Sequence, residues 1–183
     1  SYTLFRPFNW FGPGLDNVWE NASTNRVIAT FLHSLLHKRD ITLIDGGTQK
    51  RCFLYIEDAL DAMMRILENP AIAEKEIFNI GHPGNEASIS TLAETMLSLM
   101  EEHPAYATIR QHVKLNTSSG DDFYGAGYQD IDIRIPDITH AQEKLAWQPS
   151  TTLQEGLRKT ISYYIAATHT TSSSSSAAAL KRD

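Results

Sequence analysis

Arg6, Lys50, Arg51 and Arg134 sit beside glycine, proline or aromatic residues rather than on a charged helical face. Arginine's planar fork suits bidentate bonds to phosphate or carboxylate. Each of these cations also admits a plainer reading as a surface charge or a local ion pair, worth at most about 1 kcal/mol when exposed. Three polar, glycine-punctuated stretches carry or neighbour them: Asn9 ahead of Trp10-Phe11-Gly12-Pro13, the turn Asp45-Gly46-Gly47-Thr48-Gln49-Lys50-Arg51, and Tyr124-Gly125-Ala126-Gly127-Tyr128-Gln129-Asp130 leading to Arg134. Polar stretches between apolar runs are where a scaffold displays its chemistry. Asn9 serves either a ligand or its own turn, and Tyr124 and Tyr128 either line a pocket or pack as aromatics. Together the residues describe an anion-binding loop on an α/β scaffold. No single stretch holds an acid–base pair, a nucleophile triad or a metal-ligand set.

Other chemistries fit poorly. Cys52, the single cysteine, lies in an apolar strand where a free thiol packs as a small hydrophobe. It excludes an internal disulfide framework and points to a reducing, cytoplasmic compartment. His33 and His37 stand four apart on one helix without a third partner, so no metal site is expected. Asp121-Asp122 and Asp130-x-Asp132 lack the glycine and glutamate of a calcium loop. The turn Gly81-His82-Pro83-Gly84 has the wrong spacing for a dinucleotide fingerprint.

With 183 residues, 42% hydrophobic and 21% charged, the chain can build one domain with a real core. It has no apolar run long enough for a membrane span. A net charge of −6 argues against a general nucleic-acid surface while leaving room for a local basic pocket.

The elements that must position the polar stretches follow from periodicity. A strand is expected over 2–8 and a surface loop over 15–24. An amphipathic helix starts from Asn25 as N-cap, carries Val27, Ile28, Phe31, Leu32, Leu35 and Leu36, and runs to Lys38-Arg39. Strands at 41–44 and 52–56 flank the glycine turn and are placed to pair as a ribbon. A helix runs from Asp58 to Asn69-Pro70, then a buried strand spans 76–80. Ser88 or Ser90 caps a helix that breaks before Pro104. A short strand over 113–115 and helices over 138–145 and 153–167 complete the α/β pattern. Residues 1–167 form one unit, and the Thr/Ser/Ala tract of 168–183 is expected to be a disordered tail.

The order of Arg6-Pro7-Phe8-Asn9-Trp10-Phe11-Gly12-Pro13, Leu43-Ile44-Asp45-Gly46-Gly47-Thr48-Gln49-Lys50-Arg51-Cys52-Phe53, Phe78-Asn79-Ile80-Gly81 and Tyr124-Gly125-x-Gly127-Tyr128-Gln129-Asp130 resembles one group of extended short-chain dehydrogenases/reductases. Within it, the chain is most similar to the UDP-glucuronic acid decarboxylase domains of bacterial bifunctional polymyxin-resistance proteins, over residues 2–167. Plant UDP-apiose/UDP-xylose synthases are similar in the same places, and the alternatives are such a synthase, another nucleotide-sugar epimerase or dehydratase, or a non-catalytic fragment that only binds a uridine nucleotide. The first motif is shared by many nucleotide-sugar epimerases and dehydratases, whereas the Asp-Gly-Gly and Tyr-Gly motifs are narrow.

This resemblance implies the C-terminal, substrate-binding portion of a Rossmann-like fold. The N-terminal NAD-binding half, with its glycine-rich loop and Tyr-x-x-x-Lys motif, is absent from the sequence, so the chain alone is expected to be inactive. In such enzymes NAD oxidises C4 of UDP-glucuronate, and the β-keto acid decarboxylates to a UDP-4-keto-pentose. By resemblance, Asn9 and Tyr128 contact the UDP-sugar. Thr42, Leu43, Ile44, Asp45, Gly46, Gly47, Thr48, Gln49, Lys50 and Arg51 line the uridine and diphosphate. Arg134 stands at the sugar carboxylate as the catalytic residue, and its defensible role is to neutralise that carboxylate and the developing enolate. Thr42 replaces a lysine of the bacterial domains, which removes one cation. The resemblance further implies a homo-oligomeric full-length parent, no nucleic-acid or membrane partner, and an exposed apolar strand edge on the isolated chain.

Overall fold

The computed structural model describes residues 2–19, 26–125, 127 and 131–179, with their side chains except at 124 and 169–179. In chain order the elements are β1 Leu4–Pro7, β2 Trp10–Phe11, α1 Val27–Leu36, β3 Ile41–Ile44, a 3-10 turn Asp45–Gly47, β4 Lys50–Cys52, β5 Leu54–Tyr55, α2 Ile56–Glu68, α3 Pro70–Ala73, β6 Ile77–Ile80 and β7 Glu86–Ser88. There follow α4 Ile89–Glu101, 3-10 turns Pro104–Tyr106 and Ile109–Gln111, β8 Leu115–Ser118, α5 Gly120–Tyr124, β9 Ile133–Arg134, α6 Thr139–Leu145 and α7 Leu153–Ala179. Strands alternate with helices, as the α/β reading expects.

The larger core forms where three helical stripes meet. Ile28, Phe31, Leu32 and Leu35 of α1 recur at helical spacing and are buried, facing Leu92, Met96, Leu97, Leu99 and Met100 of α4 and Leu157, Ile161, Tyr164 and Ile165 of α7. Ser88 caps α4, its hydroxyl accepting the Thr91 amide at 3.0 Å. The cap of α1 differs from expectation: Arg26 is its N-cap and makes no side-chain cap bond, and Asn25 lies outside the described residues. Arg26 instead binds Asp16 at 2.9 Å and donates to the Trp10 carbonyl at 2.6 Å.

A second core gathers Leu54, Phe78, Ile80, Ile138, Leu145 and Trp147 beneath α2 and α6. Its polar bolt is Asp58. The Asp58 carbonyl takes the Trp147 indole N–H at 3.0 Å, and its carboxylate takes the amides of Ser150 at 3.3 Å and Thr151 at 2.9 Å. α2 therefore starts at Ile56, two residues before the expected Asp58, which is bonded within the helix's first turn rather than opening it.

Sheet pairing departs most from the sequence reading. The strands expected at 41–44 and 52–56 do not form a ribbon: β3 pairs in parallel with β8, the second expected strand is split between the end of β4 and β5, β5 pairs in parallel with β2, and β4 lies between antiparallel β7 and parallel β9. The glycine turn redirects the chain through successive left-handed residues, so its two flanking strands leave in different sheets. β8 itself begins at Leu115, because Val113 is drawn into the large core with its amide bonded to the Ile109 carbonyl. After Pro70 the chain makes the short helix α3, where proline occupies a first-turn position that needs no N–H donor. α7 continues past Ala167 to Ala179 with no break at the expected boundary.

β1 has β6 as its partner strand, in parallel register from Leu4 with Ile77 to Pro7 with Ile80. Leu4, Phe5 and Ile77 on this pair are exposed, as are Leu60, Met64 and Leu67 along one side of α2. No helix among the described residues is long and apolar enough to cross a membrane.

Candidate functional site

Three successive left-handed residues build the turn after β3: Asp45 at φ 48°, Gly46 at 72° and Gly47 at 67°. At Gly47 a Cβ would stand 2.8 Å from the Ser90 amide nitrogen, so only glycine seats the turn against the start of α4. Gln49 locks the same turn from inside. It is buried, its side-chain amide reaches the Ile44 carbonyl at 3.3 Å, and its own carbonyl takes the Ile89 amide at 3.1 Å. In β3, Thr42 is exposed opposite Asn116 while Leu43 enters the core and Ile44 is half-buried; Thr48 points outward.

From this turn β4 carries the two cations in opposite directions, because strand side chains alternate. Lys50 is paired with Glu86 of β7 at 2.8 Å. Arg51 faces the other side, and its guanidinium donates to the Ile131 carbonyl at 2.7 Å and the Lys50 carbonyl at 2.8 Å. Arg51 and Arg134 are register partners in the parallel β4–β9 pair. They therefore project on one face of the sheet as adjacent like charges, an arrangement that is unfavourable by itself and that an anion between them would relieve. Arg134 is exposed, with no hydrogen bond or ion pair among the described residues.

Asn9 joins this corner. Held at φ 43°, it donates from its side-chain amide to the Cys52 carbonyl at 2.8 Å and accepts the Leu54 amide at 3.3 Å. It braces the strand residue next to Arg51 through a long-range bond, so its side chain does not cap its own turn. Asn9, the turn from Asp45 to Gln49, Lys50, Arg51 and Arg134 are thus brought together around β4. Arg6 stays apart, bonded to Asn79 at 3.4 Å on the β1–β6 pair. Tyr128 lies outside the described residues, as do Ala126, Gln129 and Asp130.

Nearby groups narrow the chemistry. Cys52 is buried, and desolvation, aided by the Glu86 charge, pushes its thiol up to about 11, which suits packing rather than nucleophilic attack. A cleft of about 380 Å³ lies beyond β9, lined by His82, Pro136, Asp137, Thr139, Gln142 and Gln148 among others. Burial lowers the pKa of His82, against a smaller opposing effect from Asp58. Among the described residues no group of three or more His, Cys, Asp and Glu is arranged to hold a metal ion. His33 bonds instead to the Val18 carbonyl at 2.9 Å and His37 to the His33 carbonyl at 2.8 Å.

The residues that hold the corner include several that sequence reasoning missed: Glu86, which pairs Lys50, and the carbonyls of Ile131 and Asp132, which bond Arg51 and the Lys50 amide. Backbone groups leave no signal in residue type, although the exposed isoleucines alternating with Asp132 and Arg134 mark a strand.

The NAD dependent epimerase/dehydratase family matches residues 1–81. The crystal structure of the PbgP3 protein from Burkholderia pseudomallei is 38% identical over 88% of this chain, with a TM-score of 0.75. Residues 1–81 are thus similar to the epimerase/dehydratase family. UDP-glucose 4-epimerase from Thermotoga maritima, solved with UDP-glucose, is 26% identical over 91% of the chain with a TM-score of 0.68. The fold is shared more widely: UDP-glucuronic acid 4-epimerase from Bacillus cereus, in complex with UDP-glucuronic acid and NAD, is 21% identical over 88% of the chain at a TM-score of 0.63. The chain spans 45%, 46% and 44% of the lengths of these three structures, less than half of each.

Epimerase/dehydratase enzymes are NAD dependent by family description, yet the residues described here do not fit the cofactor's pyrophosphate. That group needs a glycine turn running from a strand straight into a helix N-terminus. The Gly81-His82-Pro83-Gly84 turn leads from β6 into strand β7, β5 and β7 pass into α2 and α4 without glycine, and β8 meets only the five-residue α5 through the single Gly120.

Proposed function

We propose that the chain is the UDP-sugar-binding part of an NAD-dependent UDP-glucuronate decarboxylase. The observation that supports this best is the register pairing of Arg51 with Arg134 beside the Gly46-Gly47 turn. One cation near the turn suits a diphosphate, and a second cation beside it, unpaired among the described residues, suits a sugar carboxylate. In this reading Gly46 and Gly47 let backbone approach the nucleotide, Thr42, Leu43, Ile44, Asp45, Thr48, Gln49 and Lys50 shape the cradle, and Asn9 and Tyr128 border the sugar. Arg51 exchanges a carbonyl partner for a phosphate oxygen. Arg134 neutralises the carboxylate while it is present and the enolate left after carbon dioxide departs. NAD supplies the redox chemistry in the whole enzyme, and no residue of this chain is assigned to that step. The wider reading is of a reducing, cytoplasmic setting, a homo-oligomeric full-length parent and a tail at 168–183 that contributes nothing to the site.

Calorimetry of the chain with UDP, UDP-glucose and UDP-glucuronate tests the reading. A charge-assisted bond is worth about 1.5–3 kcal/mol, or about 10–100-fold in affinity. UDP-glucuronate should therefore bind tighter than UDP-glucose, Arg134→Ala should abolish that preference while sparing UDP, and Arg51→Ala should weaken all three. Failure of the wild-type chain to bind UDP would overturn the proposal. A 4-epimerase is the second reading, favoured by the 26% identity to an epimerase solved with UDP-glucose. It predicts no preference for the carboxylate sugar, and the full-length parent would then convert UDP-glucose without releasing carbon dioxide.

A further inference from the structure

Asp45 is an odd residue for a diphosphate cradle. A carboxylate repels phosphate, and at φ 48° the position would suit glycine better. Its side chain points elsewhere: Oδ1 accepts the Gly120 amide at 2.9 Å. Gly120 lies one residue beyond Ser119 after β8, whose last ladder pair is Ser118 with Ile44, the residue before Asp45. Ser119 then caps α5 by accepting the Asp122 amide at 3.1 Å. At the far side of the same turn the chain is caught again, with the Lys50 amide bonded to the Asp132 carbonyl at 2.7 Å and Arg51 to the Ile131 carbonyl. The connection from β8 to β9 is therefore fastened at both ends to one seven-residue stretch.

We propose that Asp45 is a positioning residue: its carboxylate couples the seating of the nucleotide in the Asp45–Gly47 turn to the placement of β9, and through β9 to Arg134. The proposal rests on the nucleotide reading given above and adds a route by which the phosphate end and the carboxylate end of the site sense each other. By linkage the coupling is reciprocal, so a ligand that settles the turn steadies β9, and loosening the Gly120 anchor weakens the ligand.

Hydrogen exchange measured by mass spectrometry on the whole chain tests it with Asp45→Gly, which relieves the left-handed strain but removes the acceptor, and Asp45→Asn, which keeps an oxygen acceptor and tolerates the same backbone. Without ligand, Asp45→Gly should speed exchange severalfold both in peptides covering 115–125 and in peptides covering 131–136, and Asp45→Asn should restore both. With UDP, the wild type and Asp45→Asn should gain protection over 131–136, and Asp45→Gly should not, with a UDP affinity about 3–10-fold weaker, roughly the worth of one ordinary hydrogen bond. If Asp45→Gly alters only 115–125, Asp45 is a local cap and the coupling is wrong. If UDP fails to bind the wild type, the nucleotide reading falls and the proposed coupling with it. If UDP binds but protects 131–136 equally in all three proteins, the coupling alone is wrong.

Discussion

Replacing Gly47 with alanine should damage the protein far more than the same change one residue earlier. Both glycines are left-handed, at φ 72° for Gly46 and 67° for Gly47, and alanine pays about 1–2 kcal/mol for that conformation. A smaller opposite contribution of about 0.4–1 kcal/mol comes from the stiffer unfolded chain. The sites differ in space. A Cβ at Gly46 meets nothing within 4 Å, whereas at Gly47 it lands 2.8 Å from the Ser90 nitrogen and 3.3 Å from its Cα. Those atoms are backbone at the start of α4 and cannot swing aside, so an overpacking cost of about 1–3 kcal/mol is added. Gly46→Ala should thus cost about 1 kcal/mol and Gly47→Ala about 2–4 kcal/mol. With a slope of about 1–3 kcal/mol per molar urea, the unfolding midpoints should separate by about 1 M at unchanged slope. Equal midpoints, or a worse Gly46 variant, would refute the argument that the turn is pressed onto α4.

Two more outcomes follow from buried polar groups. Asp58→Ala removes the acceptor of the Ser150 and Thr151 amides at the edge of the second core, where Ser150 is exposed and Thr151 half-buried; it should lower stability by about 1–3 kcal/mol in urea unfolding, and a change below about 0.5 kcal/mol would mean water replaces the carboxylate at no cost. The Cys52 thiol, raised to about 11 by burial, favours its protonated form in the folded state. Its contribution to stability is therefore complete below the unfolded thiol's pKa and fades as pH rises through about 11. Iodoacetamide at pH 8 should modify it only after urea unfolding, and rapid labelling of the native chain would contradict the burial.

The legible part of this fold was the part governed by side-chain period. The stripe of α1, a serine cap of α4 at Ser88 or Ser90 and the β3 run Ile41–Ile44 are each set within a few residues, so their sequence states them directly, with Ser88 chosen by the fold. Strand partnership was not legible, because the residues that pair β3 with β8 and β4 with β9 are far apart in the chain and β9 has only two residues. The same division holds for the site. Arg51 and Arg134 were visible as cations in unusual surroundings, but their adjacency depends on register. The anchors at Gly120, Ile131 and Asp132 act through backbone atoms, which residue identity does not encode. Gln49 and Asp45 look like ligand contacts in sequence, yet both turn their side chains to main-chain groups of the protein itself.

Because Ile131, Ile133 and Ile135 alternate with Asp132 and Arg134, the two-residue ladder of β9 is a vernier as well as a support. Sliding it by a single position would bring an isoleucine opposite Arg51 and carry the second guanidinium to the reverse side of the strand. A deletion or insertion of one residue between 125 and 132 should consequently be harsher on the charge geometry than most substitutions in that interval, and lineages or libraries that vary this connection are expected to change its length in steps of two.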